Sequence, residues 1–202
     1  MTDPADRRIL FVGDSFVTGV GDPTGLGWVG RVVAACHGAG RPLTAYNLGV
    51  RGDTSAQVAA RWRVEARARV AAADASYGVV FAVGTNDTTH EGGRVRVEPE
   101  RSVGNLGDMI DAARAAGLDV FVVGPPPAGE RAQDDRVCAL SGRFAELARD
   151  RDVPFVHTAA ALRATRAWTA EAAAGDGAHP AAGGYAALAA LVLDGGWLDW
   201  VG

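Results

Sequence analysis

The chain of 202 residues contains no lysine, and arginine supplies all 20 of its basic residues. Because 24 residues are acidic, the formal net charge is −4, whereas a nucleic-acid-binding protein normally carries a basic stripe or patch. We therefore predict no nucleic-acid partner. Four arginines alternate with other residues on one predicted helix, where we expect a solvated face. They are Arg61, Arg63, Arg67 and Arg69.

Cysteine is scarce as well. Cys36 and Cys138 lie on separate predicted helices, and no Cys-x-x-Cys motif is present. This pattern excludes a disulfide framework and predicts two reduced, buried thiols. No group of carboxylates and histidines has convincing metal spacing, so we predict no metal and no cofactor.

Long hydrophobic runs are missing too. The first apolar stretch behind the polar residues 1–8 is only a few residues long, far short of the ~20 that cross a membrane. The sequence as written predicts no membrane span, no signal peptide and a cytoplasmic location. The glycine-rich residues 19–27 fit neither the dinucleotide-binding nor the Walker A pattern, and Gly-x-Ser-x-Gly is absent. A flexible loop is the better interpretation of residues 19–27.

The chain does contain short apolar runs that alternate with longer helical patterns, which is typical of βαβ units and a parallel sheet. Hydrophobic residues make up 48% of the sequence, enough for a core, and we predict a single domain over residues 1–202. The predicted strands are residues 9–12, 43–48, 79–83, 120–123 and 155–157. The predicted helices are residues 28–37, 54–72, 99–116, 131–149 and 180–193.

Residues suited to catalysis lie next to these elements. Ser15, in Gly-Asp-Ser-Phe, follows the first predicted strand, while Gly49 and Asn86 follow the second and third. Near the far end of the chain, Asp176 and His179 stand just before the last predicted helix. The crevice of a doubly wound sheet lies outside the carboxyl ends of its strands, so one architecture would gather all five residues.

The chemistry of these residues is that of nucleophilic catalysis. A serine hydroxyl is a poor nucleophile and needs a neighbouring base, for which His179 is the candidate. Asp176, three residues earlier, could fix the imidazole tautomer and stabilise the cation that forms. Alone, Ser15 would be interpreted as a helix cap or turn residue and His179 as a capping histidine before Pro180. The Asp-x-x-His spacing favours the catalytic interpretation for both.

In this order, the segments resemble the GDSL or SGNH family of serine hydrolases, whose name-giving positions fall on Ser15, Gly49, Asn86 and His179. The resemblance implies an α/β fold of three α/β/α layers with a five-stranded parallel, flavodoxin-like sheet. It also implies an oxyanion hole made by the backbone amides of Ser15 and Gly49 and the side-chain amide of Asn86. Plain turn residues are the alternative interpretation of Gly49 and Asn86.

Contacts to a substrate are less defined. The candidate residues are Asp14, Thr88, His90 and Pro126. For Asp14 the favoured interpretation is a structural role, in which its carboxylate binds local backbone amides. The segment 88–98 carries Arg94 and Arg96, and if it reaches across the pocket it would favour polar or acidic acyl groups.

We predict a serine esterase that cleaves carboxylic esters of small, short-chain acyl substrates through an acyl-enzyme, since the compact chain leaves little room for a lid. The alternatives are a thioesterase or carbohydrate O-acetylesterase of the same family, or a non-catalytic α/β binding protein. The expected partner is a small-molecule ester. The aromatic residues 197–200 either pack back on the sheet or form a dimer contact, so the chain is predicted to be a monomer or a homodimer.

Overall fold

The computed structural model of the chain describes residues 6–71 and 74–202. Five parallel strands form one sheet in the order β2-β1-β3-β4-β5. The strands are β1 (Asp6–Gly13), β2 (Thr44–Gly49), β3 (Ala75–Ala82), β4 (Asp119–Val123) and β5 (Phe155–Val156). This is the strand order of a flavodoxin-like sheet, so the predicted α/β fold class is confirmed.

Helices cover both faces of the sheet. They are α1 (Ser15–Thr18), α2 (Gly27–Gly38), α3 (Ser55–Arg67), α4 (Pro99–Ala115), α5 (Arg131–Asp150), α6 (Ala159–Arg163), α7 (Arg166–Ala174), α8 (Ala182–Val192) and α9 (Leu198–Val201). A turn of 3-10 helix spans Asn86–Thr88, and a two-stranded hairpin pairs His90–Glu91 with Arg94–Val95.

The side chains of β1 explain the three layers. Successive strand residues point to opposite faces, and in β1 both faces are apolar because both are covered by helices. Ile9 and Phe11 join the core formed with α2, α7 and α8, whereas Leu10 and Val12 join the core formed with α3, α4 and α5.

The register of the central strands aligns their carboxyl ends. Gly13 at the end of β1 is paired with Gly49 of β2 on one side and with Ala82 of β3 on the other. The segments that leave these three strands therefore start at one level of the same edge. This alignment brings the loops of residues 14–19, 50–54 and 83–89 together.

Several helix boundaries differ from the predictions. The helix predicted over residues 54–72 ends at Arg67, and Ala72 lies outside the described residues. The last long helix begins at Ala182 and not at Pro180. Pro99 does occupy the first turn of α4, as predicted. Helices α1, α6, α7 and α9 and the 90–95 hairpin were not predicted.

The two cysteines are both free, and they differ in burial. Cys36 is buried and accepts a hydrogen bond from the Trp197 indole at 3.0 Å, while Cys138 is only half-buried. The prediction of two buried thiols is therefore wrong for Cys138. Trp197 also packs on Phe11 and Phe121, which confirms that the aromatic tail folds back on the sheet. Among the described residues, no helix combines the length and apolar character needed to cross a membrane.

Candidate active site

Ser15 is the first residue of α1, immediately after β1. The side chain of Asp14 caps this helix by accepting a hydrogen bond from the Phe16 amide at 2.9 Å. The amides in the first turn of a helix have no partner within the helix. Ser15 is buried apart from 4% of its surface and lies at the carboxyl edge of the sheet.

His179 lies beside the serine hydroxyl although 164 residues separate the two in sequence. Its Nε2 is 2.7 Å from Ser15 Oγ, and its Nδ1 is 2.7 Å from Asp176 Oδ2. If Nδ1 donates to the carboxylate, Nε2 is left to accept the serine proton. The structure thus brings the three predicted catalytic residues into one hydrogen-bonded chain.

Asp176 is held by the backbone that follows it. Its Oδ1 accepts hydrogen bonds from the amides of His179 at 2.8 Å and Ala178 at 3.0 Å. The His179 amide first, and then the imidazole and the Ala178 amide, lower the pKa of the Asp176 carboxyl below its usual range. The carboxylate that faces the imidazole therefore stays ionised at neutral pH.

The imidazole is supported by aromatic side chains. The ring of Phe16 lies 4.8 Å from the ring of His179, measured between centroids, and Trp168 stacks on Phe16 at 5.8 Å. Trp168 is buried and donates to the carbonyl of Pro127 at 3.2 Å. Trp168 is therefore a core residue that packs behind the candidate catalytic histidine.

Two neighbouring segments fix the loop that carries Asp176 and His179. A Cβ atom at Gly129, where φ is 88°, would lie 2.2 Å from the carbonyl oxygen of Gly177, so the loop after β4 packs directly on it. On the other side, the Glu171 carboxylate accepts the amides of Gly183 at 3.1 Å and Gly184 at 2.7 Å. Glu171 thereby caps α8, which explains why this helix starts after Pro180.

Gly49 lies against the helix of the serine. A Cβ atom at this position would come within 2.5 Å of the Thr18 amide nitrogen and 2.7 Å of the Asp14 carbonyl oxygen, so only glycine fits. The Gly49 amide donates to Asn47 Oδ1 at 3.1 Å, and Asn47 in turn donates to the Val17 carbonyl at 2.7 Å. In this structure, the amide expected to bind an oxyanion already has an acceptor within the protein.

Asn86 opens the 3-10 turn after β3 and faces the same region. Its Nδ2 donates to Asp14 Oδ2 at 3.0 Å and to the carbonyl oxygen of Asp53 at 3.0 Å. The side-chain amide is therefore linked directly to the residue that precedes Ser15. All five residues predicted for the catalytic group and the oxyanion hole lie at one edge of the sheet.

Arg61 is a site residue that the sequence did not reveal. The prediction of a solvated face holds for Arg63 and Arg67, which are exposed, but it is wrong for Arg61 and Arg69, which are half-buried. The Arg61 guanidinium donates to Asp53 Oδ2 at 2.7 Å and to the Gly13 carbonyl at 2.9 Å. Arg61 follows the buried Val58 by three positions, and this helical spacing is the sequence signal from which its position near the core could have been predicted.

Asp87, the residue after Asn86, is completely buried and binds the start of α3. Its Oδ1 accepts the Ser55 amide at 2.7 Å, and Ser55 Oγ accepts from the Asn105 side chain at 2.9 Å. Burial raises the pKa of the Asp87 carboxyl. Asp87 follows Asn86 directly, and Ser55 lies two residues after Asp53. Both segments that form the Asp53–Asn86 contact are thus tied to the protein core.

The other candidate substrate contacts have varied surroundings. The Thr88 hydroxyl donates to the Thr85 carbonyl at 2.8 Å, and the carbonyl of the buried Pro126 accepts from the Thr85 hydroxyl at 2.7 Å. His90 is exposed on the hairpin. Asp14 is 2% exposed and has the local amide contact to Phe16 that its structural interpretation predicted. Contact with a substrate stays a prediction for all four.

The arginines of the hairpin have different roles. Arg96 donates to the carbonyl of Gly52 at 3.0 Å and so braces the loop that precedes α3. Arg94 is exposed and lines an open cavity of about 800 Å³ together with Thr54, Gln57, Glu91 and Glu98. Among the described residues, no group of three or more histidine, cysteine, aspartate or glutamate side chains is arranged to hold a metal ion.

A serine, an imidazole and a carboxylate in line at the carboxyl edge of a flavodoxin-like sheet define the class of small acylhydrolases. The chain belongs to the GDSL-like lipase/acylhydrolase family, whose sequence model matches residues 11–187. Among curated protein sequences, no significant match is found.

Solved structures of similar proteins agree with this assignment. A lipase/acylhydrolase from Enterococcus faecalis is 25% identical, with a TM-score of 0.76 over 93% of this chain and 94% of that one. TesA is 25% identical, with a TM-score of 0.76 over 94% and 97% of the two chains. The acetylxylan esterase Axe2 from Geobacillus stearothermophilus has the same fold, at 20% identity and a TM-score of 0.76 over 96% of both chains.

Proposed function

We propose that the protein is a serine esterase that hydrolyses carboxylic esters of small acyl groups. The observation that carries this proposal is the hydrogen-bonded chain from Ser15 Oγ through His179 to Asp176, with both contacts at 2.7 Å. Membership of the acylhydrolase family supports the reaction class. A non-catalytic binding protein would have no need of this alignment.

In the proposed reaction, Ser15 Oγ attacks the ester carbonyl carbon while His179 Nε2 takes the hydroxyl proton. The tetrahedral intermediate then collapses, the bond to the alcohol oxygen breaks, and the imidazolium returns the proton to the leaving alcohol. Water, activated by the same nitrogen, attacks the acyl-enzyme and releases the carboxylic acid. Asp176 stabilises the imidazolium in both halves of the reaction.

The substrate is proposed to be short in its acyl part. Phe16 packs on the imidazole of His179 with Trp168 behind it, and the loop at Gly129 packs on Gly177, so protein fills the side of the site next to the loop that carries Asp176 and His179. An O-acetylated carbohydrate is the second candidate, in agreement with the name of the structurally similar Axe2, and a thioester is the third.

A chromogenic ester assay across a series of acyl lengths tests the proposal. We expect hydrolysis to be fastest with acetyl or propionyl esters and to fall by ~10³-fold or more in Ser15→Ala, since loss of a nucleophile removes the covalent route. Ser141→Ala, a buried serine away from the site, is the matched control. Undiminished hydrolysis in Ser15→Ala would show that this serine is not the nucleophile.

A further inference from the structure

The side-chain amide of Asn86, the expected oxyanion donor, already makes two hydrogen bonds within the protein. A side-chain amide nitrogen has two protons to donate, and in this structure they meet two acceptors, Asp14 Oδ2 and the Asp53 carbonyl, each at 3.0 Å. An oxyanion formed at Ser15 can therefore receive a hydrogen bond from Asn86 only if one of these two acceptors shares or loses the hydrogen bond that it accepts from the amide.

The Asp53 carbonyl is the acceptor that is held in place. The side chain of Asp53 accepts a hydrogen bond from Arg61 at 2.7 Å, and Arg61 also donates to the carbonyl of Gly13. Two residues further on, the Ser55 amide is fixed to the buried Asp87. A shift of the Asp53 carbonyl would have to carry this whole arrangement with it.

Asp14 Oδ2 is the acceptor that can give way. The other oxygen of the carboxyl, Oδ1, binds the Phe16 amide and caps α1, so the cap survives if Oδ2 loses its partner. Oδ2 and an oxyanion are also alike in that both are oxygens that accept hydrogen bonds from an amide. Because Asp14 precedes Ser15, an amide held by Oδ2 is tied to the segment that carries the proposed nucleophile.

Resting on the serine mechanism proposed above, we propose that Asp14 is a positioning residue for the oxyanion hole. Its Oδ2 holds the amide of Asn86 in the free protein and yields one amide proton to the oxyanion as negative charge develops. Preorganised donors of this kind contribute because they need no reorientation when the charge appears.

The burial of Asp14 agrees with this role. The carboxyl is 2% exposed, so bulk water does not compete with Asn86 for Oδ2. Burial, and to a smaller degree the nearby carboxylates of Asp87 and Asp53, raises the pKa of Asp14 to about 7. A desolvated carboxyl gains more from a directed amide donor than an exposed one does.

A role limited to capping α1 is the competing explanation, and two variants separate it from positioning. Asp14→Asn can keep an oxygen for the Phe16 amide, but it then places an NH₂ group opposite Asn86 Nδ2, donor against donor. Asp14→Ala removes the cap and the acceptor together. A capping role predicts that only Asp14→Ala is impaired, whereas positioning predicts that both variants are.

The experiment is a double-mutant cycle measured as kcat and KM on a short-chain chromogenic ester. We expect Asp14→Asn to lower kcat by about 10- to 100-fold with KM changed less than about threefold, because the lost contact acts in the transition state. Asn86→Ala should lower kcat by about 10²- to 10³-fold. The double variant should be no slower than Asn86→Ala, because Asp14 acts through Asn86.

Asp22→Asn is the matched control. Asp22 is also buried, at 8% exposure, and it binds the Gly27 amide at 2.9 Å rather than Asn86. Any loss that it causes should multiply with that of Asn86→Ala. The inference is overturned if kcat of Asp14→Asn stays within about twofold of the parent, or if the Asp14 and Asn86 effects multiply as well. Should Asp14→Asn not fold, Asp14→Ala enters the same cycle at reduced temperature. Failure of the serine mechanism itself is seen separately, as activity retained in Ser15→Ala.

Discussion

Asp14 and Asp176 each lie within three residues of a proposed reacting group, and their pKa values are shifted in opposite directions. Asp176 accepts two backbone amides and an imidazole, so its pKa is lowered and it stays charged. Asp14 is buried, so its pKa is raised to about 7. In the proposed mechanism the Asp176 carboxylate stabilises positive charge on His179, whereas the Asp14 carboxyl holds the neutral amide of Asn86.

The raised pKa of Asp14 predicts a pH dependence of folding stability. In the unfolded chain an aspartate titrates near ~3.9, so between about pH 4 and 7 the unfolded state loses a proton that the folded state keeps. The contribution of Asp14 to stability is thus fully present below pH ~4 and is lost as the pH rises through about 7. A shift of about three pKa units corresponds to at most roughly 4 kcal/mol.

Urea unfolding of the parent and of Asp14→Asn at pH 4 and pH 8 measures this effect. Because the asparagine does not titrate, the free energy of unfolding of the parent relative to the variant should fall by about 2–4 kcal/mol between the two pH values. Asp22→Asn serves as the control for a buried aspartate whose carboxylate binds Arg31 and backbone amides. An unchanged difference at the two pH values would mean that Asp14 titrates normally in the folded protein.

At the scale of secondary-structure elements, α8 depends on a cap from another helix. Its N-cap residue, Ala181, has no side-chain acceptor, and the amides of Gly183 and Gly184 are bound instead by Glu171 of α7. This contact fixes the start of α8 just after His179. The position of the histidine therefore depends on the packing of α7 against α8.

Glu171→Ala should destabilise the protein by about 1–2 kcal/mol, the cost typical of a lost helix cap, and lower Tm by about 3–6 °C. Glu171→Gln keeps one acceptor oxygen and should lose about half as much. The exposed Glu146 of α5 provides the control, Glu146→Ala, which should melt within about 1 °C of the parent. Thermal melting followed by circular dichroism gives all three values, and equal Tm for Glu171→Ala and the parent would rule out the cap.

Strands and helices could be predicted where a local sequence pattern alone determines them. The five strands of the sheet are short apolar runs that end in turn residues, and each was located to within a few residues. Helices α6 and α7 were missed because residues 159–174 are rich in alanine and show no clear apolar stripe. The start of α8 was misplaced because its cap comes from Glu171, and a contact between separate helices leaves no local signal.

At the scale of the whole molecule, the register of the central strands determines where the candidate site lies. The pairing of Gly13 with Gly49 and Ala82 sets the loops after three strands side by side. His179 then reaches Ser15 from the far end of the chain because α8 packs against α2 on the same face of the sheet. Rules for parallel sheets predict this gathering from sequence, since polar loops at the carboxyl ends of strands must meet.

The contacts of the oxyanion donors could not be predicted in the same way. Asn86 binds Asp14 and Asp53, which are 72 and 33 positions away, and Arg61 binds the Gly13 carbonyl 48 positions away. These contacts depend on how separate segments of the chain lie relative to one another. Sequence patterns place residues on an edge or a face. They do not say which acceptor a given amide meets.

The central claim is that Ser15 is a nucleophile activated by His179, and covalent labelling tests it most directly. The protein is treated with a fluorophosphonate, which reacts with activated serines, and the adduct is located by mass spectrometry. We predict one adduct per chain, on the peptide that contains Ser15, with none in Ser15→Ala and a rate at least ~10²-fold lower in His179→Ala. Equal labelling of Ser15→Ala, or an adduct on another residue of the parent, would contradict the account.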